Sequence, residues 1–381
     1  MLDRRRFVMR GMAATLTAVL GNTSTGHAQR REAEPEFIAA FERAEIERLA
    51  KRFIARYEVP GLGIAFARDG RILHEDAFGV ADPIERTPLT PAYRFRIASI
   101  SKQITSVTIF TLIEAGRLRL DDRVFGADGV LGNDYGPVPT DSYLGDIRIE
   151  HLLTHTVGAW PNGPTDPMFQ SREIDQATLI ATTLETRPLV KPPGGSFAYS
   201  NFGYCLLGRV IERLTKQPYA AFVQESVLAR VGVSGLEIGG SALADRKPLE
   251  VRYQARSKDD PYAFNVPRMD SHGGWIARPA AIAQFASALG GVSSILRRDS
   301  IVVMTTPSQV NESYAKGWRI SRSKNWWHTG HLPGTTGLLV RAHTGLTWCV
   351  LLNTRHRGDQ LDKDLDRLMW AMVRTVPRWR A

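Results

Sequence analysis

Residues 61–80, GLGIAFARDGRILHEDAFGV, contain two strand-like runs, Gly61 to Ala67 and Arg71 to Val80, which are joined by Asp69-Gly70. Asp-Gly is a favoured dipeptide in two-residue hairpin turns, because it tolerates the positive φ angles that these turns require. The segment therefore predicts a β-hairpin. Phe37 to Tyr57, which precedes it, has helical periodicity and predicts a helix in front of the hairpin.

The C-terminal part of the chain is also rich in strand patterns. Strands are predicted over 314–321, 325–329, 336–342 and 347–352, and a helix follows over about 361–374. Residues from about 120 to 270 instead contain helical patches broken by Gly/Pro-rich loops. These patterns predict an α/β fold of the α+β kind: one antiparallel sheet built from both chain ends and flanked by helices, with an inserted, mostly helical lobe. A cleft between two lobes is a common place for a small-molecule site.

The composition is that of an ordinary folded protein, since 43% of the 381 residues are hydrophobic and 23% are charged. The net charge of +10 is spread along the chain without a basic, aromatic-interleaved stripe, so no nucleic-acid partner is expected. After the N-terminal segment, no stretch is apolar over the roughly 20 residues that span a bilayer. Cys205 and Cys349 each lie in an apolar run, which favours buried free thiols over a disulfide.

The first 28 residues resemble an export signal. Four arginines among the first ten residues precede a small, apolar segment, and Gly26-His27-Ala28 offers small residues for a cleavage site. Arg4 to Val8 also resembles a twin-arginine signal. We therefore expect an exported protein, periplasmic or secreted, with a mature domain over 29–381. The alternative is a cytoplasmic protein with a basic N-terminus.

A Ser-x-x-Lys spacing occurs three times, at Ser99–Lys102, Ser313–Lys316 and Ser321–Lys324. Only the first lies at the predicted start of an apolar helix, whose N-terminus favours developing negative charge. Residues three apart on a helix face the same side, so Lys102 can reach the Ser99 hydroxyl. A lysine whose pKa is lowered by burial can act as the base that a serine nucleophile needs. The alternative is that Ser99 caps the helix and Lys102 is solvated.

Tyr199-Ser200-Asn201 lies in a loop before the helix-like stretch Tyr204 to Leu214. A loop tyrosine can point its hydroxyl into a cleft, where a neighbouring lysine would favour phenolate character. The side-chain amide of Asn201 offers donors and an acceptor to a substrate amide. The competing interpretation is that Ser200 or Asn201 caps the helix.

His328-Thr329-Gly330 follows the strand-like Trp326-Trp327, and a second copy, His343-Thr344-Gly345, lies between two apolar runs. The second copy has the pattern of a hairpin turn, so we assign function to the first copy only. There, a glycine at a strand edge lets a substrate backbone approach closely.

In this order, the three elements resemble the serine β-lactamase and DD-peptidase superfamily, in particular its class C β-lactamase-like esterases and DD-carboxypeptidases. Other segments also look like family segments: His151–Gly158, His272–Trp275, Lys316–Trp318 and residues 328–353. The resemblance spans about residues 37 to 375 and implies a β-lactamase/transpeptidase-like fold.

Carried over residue by residue, the resemblance implies a role for each motif. Ser99 attacks the carbonyl, Lys102 accepts or relays its proton, and Tyr199 protonates the leaving group and later activates water. Asn201 holds the substrate amide. The backbone N–H groups of Ser99 and His331 form the oxyanion hole, in which each donor is worth about 3 kcal/mol. The division of the base role between Lys102 and Tyr199 stays open.

The sequence departs from the β-lactamase pattern in two ways. Its second motif begins with Tyr199, as in the class C enzymes, rather than with serine. Its third motif, in which the resemblance implies substrate binding by His328, Thr329 and Gly330, begins with histidine in place of lysine. A neutral histidine supplies a hydrogen bond where lysine supplies a fixed cation for a substrate carboxylate. This change favours an esterase or DD-peptidase over efficient antibiotic hydrolysis.

Two histidine pairs resemble metal ligands in spacing. His151 and His155 are four apart on a predicted helix, but the residues between them lack the glutamate of His-Glu-x-x-His peptidases. His328 and His331 have no third ligand nearby. We therefore expect metal-independent chemistry with no cofactor.

The sequence thus predicts a serine hydrolase that acts through a Ser99 acyl-enzyme on a small-molecule or peptide substrate. The substrate expected is an ester or a D-amino-acid peptide or amide. The alternatives are a β-lactamase that hydrolyses antibiotics, and a non-catalytic penicillin-binding or sensor protein whose acyl-enzyme is not hydrolysed.

Overall fold

The computed structural model of the protein describes residues 38–256, 259–290, 295–356 and 358–379. The export signal predicted over residues 1–28 lies outside these residues. Within the described ranges, no helix combines the length and the apolar character needed to cross a membrane.

The described residues form strands near both ends of the chain and helices mainly between them. The strands are β1 (Gly61–Arg68), β2 (Arg71–Asp82), β3 (Thr87–Pro88), β4 (Phe95–Arg96), β5 (Glu237–Ile238), β6 (Gln254–Ala255), β7 (Trp275–Ala277), β8 (Arg319–Ile320), β9 (Trp326–Leu332), β10 (Thr335–Arg341), β11 (Thr347–Leu352) and β12 (Thr354–Arg355). The α-helices are α1 (Ala40–Tyr57), α2 (Ser101–Glu114), α3 (Ile149–Leu153), α4 (Gln176–Thr186), α5 (Asn201–Thr215), α6 (Tyr219–Val223), α7 (Pro279–Ser287), α8 (Arg298–Thr305) and α9 (Gln360–Thr375).

The predicted hairpin is confirmed. Strands β1 and β2 are antiparallel neighbours, and the turn residues Asp69 and Gly70 have φ angles of 49° and 79°. Both lie in the left-handed region, which Asp and Gly tolerate better than most residues do. Local turn chemistry therefore suffices to explain this part of the fold.

Strands from both chain ends form one antiparallel sheet, as predicted. Its seven strands have the order β3-β2-β1-β11-β10-β9-β8, so the N-terminal hairpin joins the C-terminal strands where β1 pairs with β11. Both of these strands are buried on their two faces. Along β1, Leu62, Ile64 and Phe66 belong to the core shared with α1 and α9, whereas Ala65 and Ala67 belong to the core on the opposite face.

One predicted strand is wrong over most of its length. Of residues 314–321, only Arg319 and Ile320 form a strand. Gly317 has a φ of 85°, and the Ala315 N–H donates to the Trp318 carbonyl oxygen at 2.8 Å, which closes a turn. Since a positive φ cannot continue a strand, this apolar segment is a buried turn instead.

The predicted helical lobe contains α3, α4, α5 and α6. Helix α2 packs against α5 and α6 of the lobe and against α8. Its residues 101–110 are therefore all buried, which leaves the turn at its N-terminus facing the cleft between the lobe and β9.

Candidate active site

Ser99 lies in a single 3₁₀ turn, Ala98–Ile100, that leads directly into α2. Ala98 has a φ of 48°, a conformation that costs a non-glycine residue on the order of 1–3 kcal/mol and persists where the surrounding structure imposes it. The hydroxyl of Ser99 does not cap α2. It forms a hydrogen bond with Lys102, whose Nζ lies 3.1 Å from Ser99 Oγ.

Lys102 is fully buried and has two further acceptors, Asn201 Oδ1 at 2.7 Å and the His272 carbonyl oxygen at 2.9 Å. Burial lowers the pKa of Lys102 to about 7, and the charge of Asp166 partly offsets this effect. Near neutral pH a large share of the molecules therefore carry an uncharged amine that can accept the Ser99 proton. The alternative of a solvated Lys102 is wrong.

Tyr199 covers another side of this lysine, with Lys102 Nζ 4.9 Å from the centre of its ring. Burial raises the pKa of the Tyr199 hydroxyl above its ordinary value, and the neighbouring Ser99 hydroxyl lowers it by less. The two hydroxyls fall short of a well-formed hydrogen bond, since the Tyr199 oxygen is buried without a completed partner among the described residues. The expected phenolate character is therefore wrong: near neutral pH Tyr199 is a phenol that can give a proton.

Asn201 is the first residue of α5, and Ser200 is its N-cap, whose hydroxyl accepts from the Gly203 N–H at 3.1 Å. The capping interpretation thus applies to Ser200, while the Asn201 amide belongs to the site. Its Nδ2 donates to Asp166 Oδ2 at 2.7 Å and approaches Asn162 Oδ1 at 3.4 Å. Both of these contacts are with the protein, and the contact of Asn201 with a substrate amide stays a prediction.

A chain of buried hydrogen bonds joins the second motif to the third. The Ser200 N–H donates to His155 Nδ1 at 3.1 Å, so His155 Nε2 carries the proton that it donates to the Tyr314 hydroxyl at 3.0 Å. The Tyr314 hydroxyl oxygen lies 3.4 Å from His328 Nε2. His328 Nδ1 donates to the Thr329 carbonyl oxygen at 2.6 Å. Burial lowers the pKa of His155, and it lowers that of His328 to about 3. These hydrogen-bonded side chains are therefore uncharged near neutral pH.

Gly330 of the third motif brings β9 against the Ser99 turn. A Cβ at this position would lie 2.1 Å from the Ile97 carbonyl oxygen and 3.4 Å from Ala98 Cβ. The glycine therefore admits the protein's own Ser99 turn, and the close approach of a substrate backbone at this strand edge stays a prediction. The next residue, His331, lines the cavity together with Ser99, and the role of their N–H groups as oxyanion donors stays a prediction.

The edge of β9 that faces the cleft is open. In the described part of the chain, β8 pairs only with Trp326 and Trp327, so residues 328–332 have no partner strand on that side. An open strand edge presents backbone donors and acceptors to an extended substrate. Thr329 and His331 line the cavity at this edge.

The other copies of the motifs have structural roles. Lys316 Nζ pairs with Glu150 Oε1 at 3.1 Å, and the Lys324 N–H donates to the Ser321 carbonyl oxygen at 2.9 Å within a turn. The second His-Thr-Gly copy, residues 343–345, lies in the turn between β10 and β11, where Gly345 has a φ of 87°. The choice of the first copy as the site motif therefore agrees with the fold.

The remaining histidines of the suspected metal pairs are also engaged by the protein. His151 Nδ1 accepts from the Arg148 N–H at 3.1 Å at the start of α3, and His331 Nε2 lies 3.0 Å from Asp362 Oδ1. Within the residues that the structure describes, no group of three or more His, Cys, Asp or Glu side chains is arranged to hold a metal ion. Cys205 and Cys349 are buried free thiols, as predicted.

The cavity in front of Ser99 has a volume of about 1060 Å³. Part of its lining is apolar and comes from the lobe, the segment before β7 and the end of β9: Phe169, Phe264, Met269 and Leu332. Arg319 of β8 also lines it, with its guanidinium 5.3 Å from the Trp327 ring centre and 5.9 Å from that of Tyr314. Among the described residues, no carboxylate forms an ion pair with Arg319, although Asp259, Asp260 and Arg355 also line the cavity.

Three residues of this site were missed in the sequence: Asp166, Tyr314 and Arg319. Asp166 lies in a Gly/Pro-rich loop that carries no motif, 35 residues before the Asn201 that it contacts. Tyr314 and Arg319 lie in the segment that was predicted as one strand. No local motif marks any of the three, because their places at the site follow from the tertiary fold.

Comparisons with known proteins agree with this geometry. Residues 46–369 match the β-lactamase family. "Protein flp" of Staphylococcus aureus (strain N315) is 27% identical over 187 residues, 48% of this chain and 36% of that protein, so the match spans about a third of the relative's length. The "Putative D-alanyl-D-alanine carboxypeptidase" of Escherichia coli O157:H7 is 23% identical over 335 residues, which cover 76% of this chain and 74% of the relative.

A solved structure of the D-amino acid amidase from Ochrobactrum anthropi SV3, in complex with L-phenylalanine amide, has a TM-score of 0.72. It is 21% identical and covers 88% of this chain and 99% of the amidase, a likeness that shows a shared fold. The family match extends over most of the chain, and the Ser99 site lies within it. This chain therefore belongs to the β-lactamase family.

Proposed function

We propose that this protein is a serine hydrolase that forms an acyl-enzyme at Ser99 and transfers the acyl group to water. The observation that carries the proposal is the state of Lys102. It is fully buried, its pKa is lowered to about 7, and its Nζ lies 3.1 Å from Ser99 Oγ. A strongly shifted pKa beside a nucleophile at a cleft is typical of catalytic sites.

In the proposed acylation, the substrate lies along the open edge of β9 with its carbonyl carbon in front of Ser99. Lys102 takes the Oγ proton while the bond from Oγ to the carbonyl carbon forms. The N–H groups of Ser99 and His331 stabilise the oxyanion. Tyr199 gives its phenolic proton to the leaving nitrogen or oxygen and regains one from the Lys102 ammonium, so that the Ser99 proton ends on the leaving group.

Deacylation reverses these transfers with water in place of the leaving group. The water gives a proton to the Tyr199–Lys102 pair as its oxygen attacks the acyl carbon, and Ser99 Oγ regains a proton as it leaves. The pair then returns to its starting state, with a phenol at Tyr199 and an uncharged amine at Lys102.

The charge and lining of the cavity support a substrate whose leaving group carries a carboxylate and whose acyl part is apolar. His328 is uncharged, and Arg319 lines the cavity without an ion-pair partner among the described residues, which makes it a candidate to bind a substrate carboxylate. A guanidinium binds a carboxylate through two parallel hydrogen bonds. The names of two similar proteins, an amidase for D-amino acids and a D-alanyl-D-alanine carboxypeptidase, also point to D-amino-acid amides and peptides as the substrate class.

The test compares the wild type with Ser99→Ala on a p-nitrophenyl ester, an acyl-D-Ala-D-Ala peptide, the same peptide as a C-terminal amide, and nitrocefin. Turnover and intact mass are recorded for each. We expect the wild type to hydrolyse the ester and the free-acid peptide, and Ser99→Ala to lose at least about 10³-fold in rate. Arg319→Gln should remove the preference for the free acid over the amide while leaving ester hydrolysis within about threefold.

Equal turnover by Ser99→Ala would contradict the nucleophile assignment. Fast nitrocefin hydrolysis would instead identify a β-lactamase, and a stable adduct on Ser99 without turnover would identify a penicillin-binding or sensor protein. Preference for the amide peptide, unaffected by Arg319→Gln, would contradict the carboxylate-binding role of Arg319.

A further inference from the structure

Asp166 carries a carboxyl group that is completely buried in the lobe wall of the cleft. One of its oxygens accepts from the Met168 N–H at 2.9 Å, and the other accepts from Asn201 Nδ2 at 2.7 Å. Among the described residues, no Lys or Arg forms an ion pair with it. Burying a carboxylate without a cation at contact distance lowers the stability of the fold. The charge of Asp166 therefore indicates a role other than stabilising the protein.

Asn201 connects this carboxylate to the nucleophile. Its Oδ1 accepts from Lys102 Nζ at 2.7 Å while its Nδ2 donates to Asp166, and Lys102 in turn reaches Ser99. The orientation of the amide follows from its two neighbours: a flipped amide would place Nδ2 against an ammonium and Oδ1 against a carboxylate. The four side chains therefore form a single directed chain of hydrogen bonds, Asp166–Asn201–Lys102–Ser99.

We propose that Asp166 is a positioning residue for the nucleophile, which orients the Asn201 amide and, through its negative charge, favours the protonated form of Lys102. The proposal rests on the proposed function, in which Lys102 is the base for Ser99. It adds Asp166 to the residues that support this function, although Asp166 does not contact the substrate.

The other titratable groups around Lys102 carry no negative charge near neutral pH. Burial raises the pKa values of the tyrosines and lowers those of the histidines that face it, so all of them are neutral: Tyr199, Tyr204, His155, His272 and His328. Burial also raises the pKa of Asp166, and its hydrogen bonds from Met168 and Asn201 oppose that effect. Both of its oxygens face N–H donors, an arrangement that suits the ionised carboxylate.

A purely structural role would be to cap the 3₁₀ turn Pro167–Phe169, for which the bond from Met168 suffices. Capping by Asp175 at the start of α4 offers a matched comparison. Asp175 accepts from the Thr178 N–H at 2.8 Å, but it is exposed and does not contact Asn201. The two residues therefore share the capping role and differ in the link to Lys102.

The experiment measures phosphonylation of Ser99 by a fluorophosphonate, followed by intact mass from pH 5 to 9. This reaction forms the bond from Ser99 Oγ to phosphorus and releases fluoride, with the Oγ proton passing to Lys102, and it does not depend on the natural substrate. For the wild type, the rate should rise with pH to a plateau with a midpoint near 7, the pKa of Lys102, because only the neutral amine accepts a proton.

Asp166→Asn should lower the plateau rate at least tenfold and move the midpoint down by about one pH unit. Removal of a nearby anion disfavours the ammonium, so the neutral amine persists to lower pH. Asp175→Asn should leave both quantities unchanged. If Asp166→Asn does not fold, as judged by its thermal melt, Asp166→Ser retains an oxygen to cap Met168 and serves in the same comparison.

An unchanged midpoint in the Asp166 variant would overturn the proposal, even where the plateau rate falls. It would mean that Asp166 only caps the 3₁₀ turn Pro167–Phe169. A wild-type protein that is not labelled at Ser99 would overturn the proposed function as well, so the two failures are distinguishable.

Discussion

Lys102 and Tyr199 respond in opposite directions to the same buried environment. Burial disfavours the charged form of either side chain, which lowers the pKa of the lysine to about 7 and raises that of the tyrosine. Near neutral pH one group can therefore accept a proton and the other can give one. Paired groups displaced in this way are typical of sites that combine base and acid catalysis.

Tyr199→Phe removes the proton donor for the leaving group while keeping the ring beside Lys102. We expect kcat/KM to fall at least about 100-fold, with a larger loss on an amide than on a p-nitrophenyl ester, whose leaving group needs no proton. His343→Ala changes an exposed residue of the β10–β11 turn and should stay within about twofold. Steady-state kinetics on both substrates provide the check, and the reverse ranking would place the working third motif at residues 343–345.

At the scale of elements, the site depends on how closely β9 packs against the turn that carries Ser99. Gly330 allows this contact, since its missing Cβ leaves room for the Ile97 carbonyl oxygen. Ala98 takes a left-handed conformation in the same turn. The spacing of Ser99 from the edge of β9 is thus set by packing between two elements that are more than 200 residues apart in the chain.

Gly330→Ala should separate β9 from the Ser99 turn, because the new methyl group cannot coexist with a carbonyl oxygen at 2.1 Å. We expect kcat/KM to drop at least about 100-fold, as a displacement of about 1 Å can cause, together with a lower melting temperature. Gly195→Ala is the matched control, because its new Cβ would meet nothing within 4 Å. Wild-type kinetics in Gly330→Ala would contradict the role assigned to this contact.

At the scale of the whole molecule, the sheet separates two hydrophobic cores, of which only one contains residues of the helices that hold the site. The core shared with α1 and α9 includes Met369 and Trp348 and lies away from the cleft, whereas the core on the other face contains residues of α2 and α5 that hold the site. Stability contributed by the first core should therefore be separable from activity.

Met369→Ala tests this separation, because Met369 of α9 is completely buried in the first core. A cavity left by a large side chain should lower the free energy of unfolding by about 2–5 kcal/mol while kcat/KM of the folded protein at 25 °C stays unchanged. Lys363→Ala, an exposed position on the same helix, should change stability by less than about 0.5 kcal/mol. Urea unfolding and steady-state kinetics measure both effects, and a matching loss of kcat/KM in folded Met369→Ala would show that the cores are coupled.

Features that depend on neighbouring residues could be predicted from the sequence. Asp69-Gly70 indicated a hairpin because its turn needs two positive φ angles, and strand-like runs at both chain ends indicated the shared sheet. The pairing of Ser99 with Lys102 followed from helical spacing. The segment 314–318 was predicted as strand because the apolar pattern does not reveal the left-handed Gly317 that turns it.

The charge states and the remaining site residues were decided by the tertiary structure. Whether Lys102 is charged depends on burial by α5, β9 and the His272 segment, and Asp166 and Arg319 reach the cleft only through the folding of distant segments. The proton affinity of a side chain depends on its surroundings, and these are assembled from parts of the chain that no local pattern connects. The sequence by itself thus determined most strands of the shared sheet and which serine lies just before α2, and the fold decided which groups surround that serine and which of them hold a proton.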